Sequence, residues 1–235
     1  MSDKTSLVLG VLGGMGPAST LEFLTRLQAY TPAERDQDHI RVIADINPKT
    51  PDGSVPGSDA GAVLAEMAGA LHGAGAQVLA MPCNTAHAHA GLIERASGLP
   101  LIDMISLGAE AARRTGAMRA GVLGGKGALR LYREYLAARA MGLVTLPAEP
   151  QEAFMATLAR IKAGDRGPAV KAQMQGYAET LRREGAEVLI AGCTEAPLVL
   201  GKADVRLELI DPGDLLAHQA VAVCLGWEPA PRGAG

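Results

Sequence analysis

The chain has 235 residues, of which 48% are hydrophobic and 20% are charged, a balance typical of a globular protein with an ample core. Its formal net charge of −3 offers no basic surface for nucleic acid or for an anionic membrane. The N-terminal apolar stretch is short and lacks a signal-like cleavage site, and no stretch reaches the roughly 18 apolar residues of a membrane span. Three cysteines do not make a disulfide scaffold. We therefore expect a cytoplasmic protein with free thiols that binds a small molecule.

Short apolar segments that end in Gly, Pro or Asn alternate with longer helical patterns, which predicts parallel sheets built from βαβ units. Pro17 stands where a first helix would begin, and Gly73, Gly75 and Gly185 stand where helices would end. The predicted strands cover residues 7–13, 40–46, 76–81, 99–104, 120–125, 187–192 and 207–211.

An internal repeat organises these elements. The segment VLGGMGPA at 11–18 returns as VLGGKGAL at 122–129. Likewise GAGAQVLAMPCNTAHA at 73–88 resembles REGAEVLIAGCTEAPL at 183–198, and this second match places Cys83 and Cys193 at equivalent positions. The repeat predicts two similar halves, each with a cysteine at the carboxyl end of a strand.

The fold class predicted from the repeat is α/β, with two pseudosymmetric three-layer α/β/α domains and mainly parallel sheets. We assign residues 1–100 with 208–235 to the first domain and 101–207 to the second, so that the final strand and helix return to the first half. Because ligands of open α/β sheets bind beyond the carboxyl ends of the strands, we expect the active site in the cleft between the domains.

Each of the two cysteines follows a predicted strand and precedes a helical pattern. We therefore expect both at helix N-termini, where unpaired N–H groups and the helix dipole would lower the pKa of a thiol and bind a carboxylate. Asn84, Thr85 and Thr194 would add hydrogen-bond donors. Either cysteine alone would fit a structural role, but the symmetric pair favours function. Cys224 lies on an apolar helical pattern and is predicted to be in the core.

A zinc site made from Cys83, His87 and His89 is one alternative. On a helix His89 would point roughly 160° away from His87, so the three side chains would not converge. We therefore predict no metal site, and expect His87 to cap or to hydrogen-bond near the cleft instead.

A dinucleotide site is a second alternative, since Gly14 and Gly16 begin a G-x-G-x-x-S segment and Asp45 ends the next strand. However, the third small residue differs from the fingerprint, and Pro17 removes an N–H that would face the pyrophosphate. We expect the glycine turns to be backbone walls that let a small ligand approach closely, with no cofactor bound.

Residues 47–58 form a polar segment without hydrophobic periodicity. Its place at a strand's carboxyl end makes Asp52, Gly53 and Ser54 candidates for a lid, with an ordinary long connection as the alternative. Lys162 ends a helical pattern before Gly164, where a basic side chain complements the helix dipole.

Three segments, VLGGMGP at 11–17, PCNTAH at 82–87 and GCTE at 192–195, resemble the aspartate/glutamate racemase family, most closely its aspartate racemase branch. The similarity extends over nearly the whole chain. It implies a homodimer that racemises an amino acid without pyridoxal phosphate. It also implies that Cys83 and Cys193 carry protons, with Asn84, Thr85 and Thr194 around the α-carboxylate.

The same resemblance bears on the substrate. In aspartate racemases a loop arginine and a lysine of a Lys-x-Gly motif contact the side-chain carboxylate. Lys162 fits the motif and becomes a substrate-binding candidate, as does Met15 in the first glycine turn. Gly53 stands where the arginine is expected, and Lys126 replaces part of a Thr-rich turn, so aspartate leads, with glutamate or a broader range as alternatives.

The resulting hypothesis is a two-base racemisation, in which one cysteine removes the α-proton as thiolate and the other delivers a proton to the opposite face. A related cysteine-dependent isomerase or decarboxylase, or a racemase of a non-acidic amino acid derivative, is the enzymatic alternative. A homologue that binds a carboxylate but catalyses no reaction is the alternative outside the class of enzymes.

Overall fold

The computed structural model describes residues 6–51 and 57–231, and the predicted lid residues Asp52, Gly53 and Ser54 lie outside this range. The chain divides into two compact units. The first unit comprises Met1–Met104 and Gly213–Gly235, and the second comprises Ile105–Pro212.

The first unit contains a parallel sheet in the order β2-β1-β3, with β1 at Leu9–Gly13, β2 at Val42–Ile46 and β3 at Val78–Ala80. Leu101 adds a single parallel bridge to Leu79 on the outer side of β3. The helices are α1 (Pro17–Tyr30), α2 (Ala60–Gly73) and α3 (Ala90–Ser97), and a 3-10 turn at Thr85–His89 precedes α3. Helix α4 (Met104–Arg114) begins at the last residue of this unit.

The second unit contains a parallel sheet in the order β5-β4-β6-β7. Its strands are β4 (Arg119–Val122), β5 (Gly142–Val144), β6 (Val188–Ile190) and β7 (Leu209–Ile210). Its helices are α5 (Lys126–Ala137), α6 (Ala148–Lys162) and α7 (Pro168–Arg183), and 3-10 turns lie at Ala196–Leu198 and Lys202–Asp204. Both sheets therefore place their first strand between the second and third strands of the same unit.

The predicted α/β class with parallel sheets is confirmed by these two sheets. Helix α1 begins at Pro17 as predicted, and Gly75 and Gly185 take the left-handed backbone conformation just after α2 and α7. The sequence pattern missed β5, because only one of its three residues is buried. The predicted strand at 99–104 is reduced to the bridge of Leu101.

The expectation that the final strand returns to the first half is wrong. Leu209 and Ile210 instead pair with Leu189 and Ile190 of β6, which completes the sheet of the second unit. The final helix, α8 (Pro212–Cys224), has all but its first residue in the first unit. The domain intervals assigned from the sequence remain a prediction.

Each unit has its own apolar core. In the first, Leu12 of β1 and Leu79 of β3 pack with Leu64 and Leu71 of α2. In the second, Phe154 and Leu158 of α6 pack with Leu189 of β6 and with Met174 and Leu181 of α7. Buried strands flanked by apolar helix faces explain the near-continuous hydrophobic runs of the sequence.

Hydrogen bonds and a ring contact hold helix α8 in the first unit. The Leu7 N–H donates to the Cys224 carbonyl at 2.9 Å. The ring of Tyr30 stacks on His218 with centroids 3.6 Å apart, and the Tyr30 hydroxyl donates to the carboxylate of Asp214. Across residues 6–51 and 57–231, no helix has the length and apolar character needed to cross a membrane.

Candidate active site

Cys83 lies three residues beyond Ala80, the last residue of β3. Its side chain is half-buried and packs against the apolar core of the first unit. The Cys83 N–H donates to the Met81 carbonyl at 2.8 Å, which turns the chain at the end of the strand. The thiol thus stands on a short, internally hydrogen-bonded turn.

His87 fixes that turn. Its Nδ1 lies 2.8 Å from the Cys83 carbonyl oxygen and its Nε2 lies 3.2 Å from the Met104 backbone nitrogen. A carbonyl only accepts and an N–H only donates, so Nδ1 carries the proton and Nε2 accepts. Burial lowers the pKa of His87, against smaller opposing effects of the Cys83 carbonyl and Asp103. His87 is therefore a neutral side chain that braces the thiol loop, in line with the expectation that it hydrogen-bonds nearby.

The other candidates of the first unit surround the same strand end. Asn84 is buried and its backbone carbonyl accepts the backbone N–H of His87 at 3.2 Å. The half-buried Thr85 begins the 3-10 turn. Met15 is half-buried and packs against the same apolar cluster as Cys83. The structure thus brings Met15 and the segment from Cys83 to Thr85 to one region of the unit.

The glycine turn after β1 has a structural requirement. Gly14 has a φ of +99°, and a Cβ added there would lie 2.4 Å from a backbone carbon of Asn47. Its N–H donates to the Thr20 hydroxyl at 2.9 Å. Position 14 therefore has to be glycine, because only glycine lets the backbone after β2 approach the end of β1 this closely.

Cys193 occupies the equivalent place in the second unit, three residues beyond Ile190, the last residue of β6. It is half-buried, and its Sγ lies 2.8 Å from Oε2 of Glu195. Burial raises the pKa of the Cys193 thiol well above its ordinary value. The negative charge of Glu195 and the hydrogen bond to its carboxylate raise that pKa further, whereas a hydrogen bond from the Glu195 backbone N–H and the positive charge of Lys162 lower it.

The expectation that a helix N-terminus lowers the pKa of this thiol is wrong. The segment after Cys193 is a three-residue 3-10 turn at Ala196–Leu198, and the segment after Cys83 is a five-residue 3-10 turn. Neither is an α-helix whose aligned peptide dipoles could add up at the thiol. Around Cys193 the burial and the neighbouring carboxylate decide the direction of the shift.

Glu195 is a site residue that the sequence reasoning did not single out. Only 3% of its surface is exposed, and among the described residues its Oε1 has no hydrogen-bond partner. Charged side chains are almost never fully buried unless they are paired, so this burial requires a reason. The sequence could have indicated Glu195 by its position, since it places a carboxylate two residues after the candidate thiol of Cys193.

The remaining candidates of the second unit lie near Cys193. The half-buried Thr194 has its hydroxyl oxygen 3.5 Å from Oε2 of Glu195, at the outer limit of a hydrogen bond. Lys162 is the last residue of α6, is exposed, and acts on the Cys193 thiol through its positive charge. The structure therefore groups Lys162, Thr194 and Glu195 around one thiol.

Cys224 is buried at 1% exposure, as predicted for a core residue, and burial raises its pKa to about 12. A zinc site at Cys83 and His87 conflicts with the geometry, because both ring nitrogens of His87 are engaged by backbone groups. In the part of the chain that the structure describes, no three His, Cys, Asp or Glu side chains are arranged to hold a metal ion.

The fold and the two thiols define a class, namely a duplicated parallel α/β protein with one cysteine beyond a strand end in each unit. The model of the Asp/Glu/Hydantoin racemase family matches residues 12–220, so the chain belongs to this family. The resemblance predicted from the sequence motifs is thereby confirmed.

Relatives agree with this assignment. The broad-specificity amino-acid racemase RacX of Bacillus subtilis (strain 168) is 24% identical over 229 residues, which cover 94% of this chain and 100% of that protein. The glutamate racemase of Ectopseudomonas mendocina (strain ymp) is 34% identical over 153 residues, or 62% of this chain and 57% of that protein. Picrophilus torridus aspartate racemase shares the fold with a TM-score of 0.81 at 24% identity, over 94% of each chain. Racemases of this kind are isomerases.

Proposed function

We propose that this chain is a cofactor-independent amino-acid racemase in which Cys83 and Cys193 act as a pair of acid and base at the α-carbon. The observation that supports this most is the equivalence of the two thiols. Each lies three residues beyond a strand that pairs with the first strand of its unit, β3 with β1 and β6 with β4. The third cysteine, Cys224, is buried in α8 and has no such position.

In the proposed reaction one cysteine is a thiolate and the other a neutral thiol. The thiolate forms an S–H bond with the α-proton, and the electron pair of the broken C–H bond remains as a carbanion delocalised into the carboxylate. The second thiol then gives its proton to the opposite face and becomes a thiolate. The opposite enantiomer needs the reverse starting state, so the two thiols share one proton and titrate as a coupled pair.

The carbanion is a strong base and needs stabilisation. In this proposal the side chains of Asn84, Thr85 and Thr194 hold the developing charge on the carboxylate by hydrogen bonds, which is where preorganised donors contribute most to a rate. Because 3-10 turns follow both thiols, these polar side chains take the role that helix dipoles would otherwise have.

Aspartate is the first substrate to test, because the positive charge of Lys162, which acts at Cys193, suits a second carboxylate. Met15 would provide an apolar wall next to Cys83. Gly53 stands where the aspartate racemase pattern has an arginine, and a broad-specificity racemase matches nearly the whole chain, so glutamate and neutral amino acids belong in the same panel.

The test is α-proton exchange. L- and D-amino acids are incubated with the chain in deuterated buffer, and loss of the α-proton signal and of optical purity are followed by NMR and chiral chromatography. We expect both for at least one pair of enantiomers, and their loss in Cys83→Ser and Cys193→Ser. Cys224→Ala is the matched control and retains the activity. Parental racemisation in either Ser variant contradicts the two-thiol mechanism.

We also propose that the chain works as a cytoplasmic homodimer, as the family resemblance implies. Light scattering during size-exclusion chromatography should give twice the 24.2 kDa mass of one chain. A mass of one chain at micromolar concentration contradicts the dimer without affecting the proposed chemistry.

A further inference from the structure

The two thiols differ in the residue that stands two positions after each of them. Cys193 is followed at this distance by Glu195, and Cys83 is followed by Thr85. The Glu195 carboxylate contacts its thiol at 2.8 Å. Thr85 has a neutral side chain, so the two members of the pair are not chemically equivalent.

The environment of Glu195 favours a proton on Cys193. Its carboxylate is buried, and its Oε1 has no hydrogen-bond partner within the described residues. The Cys193 S–H is the close donor to Oε2, because the Thr194 hydroxyl is 3.5 Å away. Ionising Cys193 would remove that donor and place a second negative charge beside a buried carboxylate, which is unfavourable in a site of low dielectric constant.

The other groups around Cys193 do not reverse this preference. The thiol packs against an apolar cluster, and burial is the largest cause of its raised pKa. The charged groups that act on it, among the residues that the structure describes, are Glu195 and Lys162. The Glu195 backbone N–H and Lys162 both favour the thiolate, but each has a smaller effect than the burial and the Glu195 carboxylate. Lys162 is also exposed, so solvent screens its charge more than that of Glu195.

We propose that Glu195 is a positioning residue that keeps Cys193 as the proton-bearing thiol, so that the enzyme without substrate holds Cys193 as the acid and Cys83 as the base. The consequence for turnover rests on the proposed function. One enantiomer meets the protein in the correct protonation state. After its conversion Cys83 carries the abstracted proton and Cys193 is a thiolate, and the pair resets when Cys83 loses a proton to water and Cys193 takes one up.

The test measures the thiols and needs no turnover. Iodoacetamide is attacked by the thiolate, which forms a C–S bond and releases iodide, so the alkylation rate follows the thiolate fraction. The rate is measured for each cysteine against pH by peptide mass spectrometry. In the unmodified chain the profile of Cys193 should have its midpoint at higher pH than that of Cys83.

Glu195→Gln removes the charge and keeps a carbonyl acceptor for the S–H. We expect the Cys193 midpoint to fall to lower pH, and alkylation near neutral pH to become about tenfold faster for each pH unit by which the midpoint falls. The Cys83 midpoint should not fall with it, because a negative charge on Cys193 disfavours ionisation of the other thiol of a coupled pair. Glu184→Gln, an exposed residue after α7 in the same unit, is the matched control and should move neither midpoint.

Equal midpoints in the unmodified chain overturn the proposal, and so does an unchanged Cys193 midpoint in folded Glu195→Gln. Where that variant does not fold, the comparison of the two thiols in the unmodified chain still decides. The outcome is separable from the proposed function. If the midpoints differ but no deuterium enters the α-carbon, the proposed racemase is refuted and the positioning role of Glu195 is supported. If the chain racemises an amino acid but the midpoints are equal, the racemase is supported and the positioning role is refuted.

Discussion

Acidification tests the neutral state of His87 in the folded chain. His87 donates through Nδ1 to the Cys83 carbonyl and accepts the Met104 N–H at Nε2. Burial lowers its pKa in the folded state, whereas in the unfolded chain it titrates near about 6.5. Below about pH 6.5 the unfolded state therefore binds a proton that the folded state does not bind. The contribution of neutral His87 to stability is complete above this pH, and the free energy of unfolding decreases as the pH is lowered below it.

The size of the effect follows from the one proton involved. Between the pKa of the unfolded state and the lower pKa of folded His87, the free energy of unfolding changes by at most about 1.4 kcal/mol per pH unit. His87→Gln keeps an uncharged side chain that can donate and accept, so this part of the slope should vanish. His87→Leu leaves the Cys83 carbonyl and the Met104 N–H without their partner and should cost about 2–6 kcal/mol near neutral pH.

The assay is urea unfolding followed by circular dichroism between about pH 5 and pH 8. His72→Gln, which changes an exposed histidine at the end of α2, is the matched control and should keep the parental slope. If the unmodified chain and His87→Gln lose stability equally below about pH 6.5, the assignment of a neutral, buried His87 is refuted.

Three further predictions concern the backbone, the core and the third thiol. Gly14→Ala should lower the free energy of unfolding by about 3 kcal/mol or more, because of its positive φ and a contact with backbone. Gly69→Ala, in open space on α2, should raise it by about 0.5–1 kcal/mol; urea unfolding measures both. Phe154→Ala, at a fully buried residue, should lower the free energy of unfolding by about 3–5 kcal/mol in the same measurement. Met155→Ala, at the exposed neighbouring residue, should lower it by about 0.5 kcal/mol or less. Cys224 should resist iodoacetamide at pH 8 until the chain is unfolded, because burial suppresses both access and ionisation; rapid alkylation in the native state contradicts this.

The elements that the sequence predicted correctly are those whose hydrophobic pattern is strong. Strands β1, β3 and β6 are fully buried, so their apolar runs are continuous and their positions follow from the pattern. The repeat then placed the two thiols at equivalent strand ends. Strand β5 has one buried residue out of three and merges into the surrounding polar sequence, so its pattern carries too little signal.

The electrostatics of the candidate site could not be predicted in the same way. Whether the chain after Cys193 forms an α-helix or a 3-10 turn depends on how the segment packs, and the burial of Glu195 is a tertiary property. The influence of Lys162 on Cys193 joins residues far apart in the chain. The family resemblance indicated Lys162 as a site residue. The direction in which the pKa of Cys193 shifts could be found only from the folded surroundings of that thiol.

The division of the chain has a consequence for protein synthesis. The second unit is one continuous segment, Ile105–Pro212, whereas the first unit needs Gly213 and the residues after it. Those late residues include His218, which stacks on Tyr30, and Cys224, whose carbonyl accepts the Leu7 N–H. The residues of α8 that complete the first unit are therefore translated after the whole of the second unit. The contacts of Tyr30 and Leu7 with α8 can form only after the segment of the second unit has been translated.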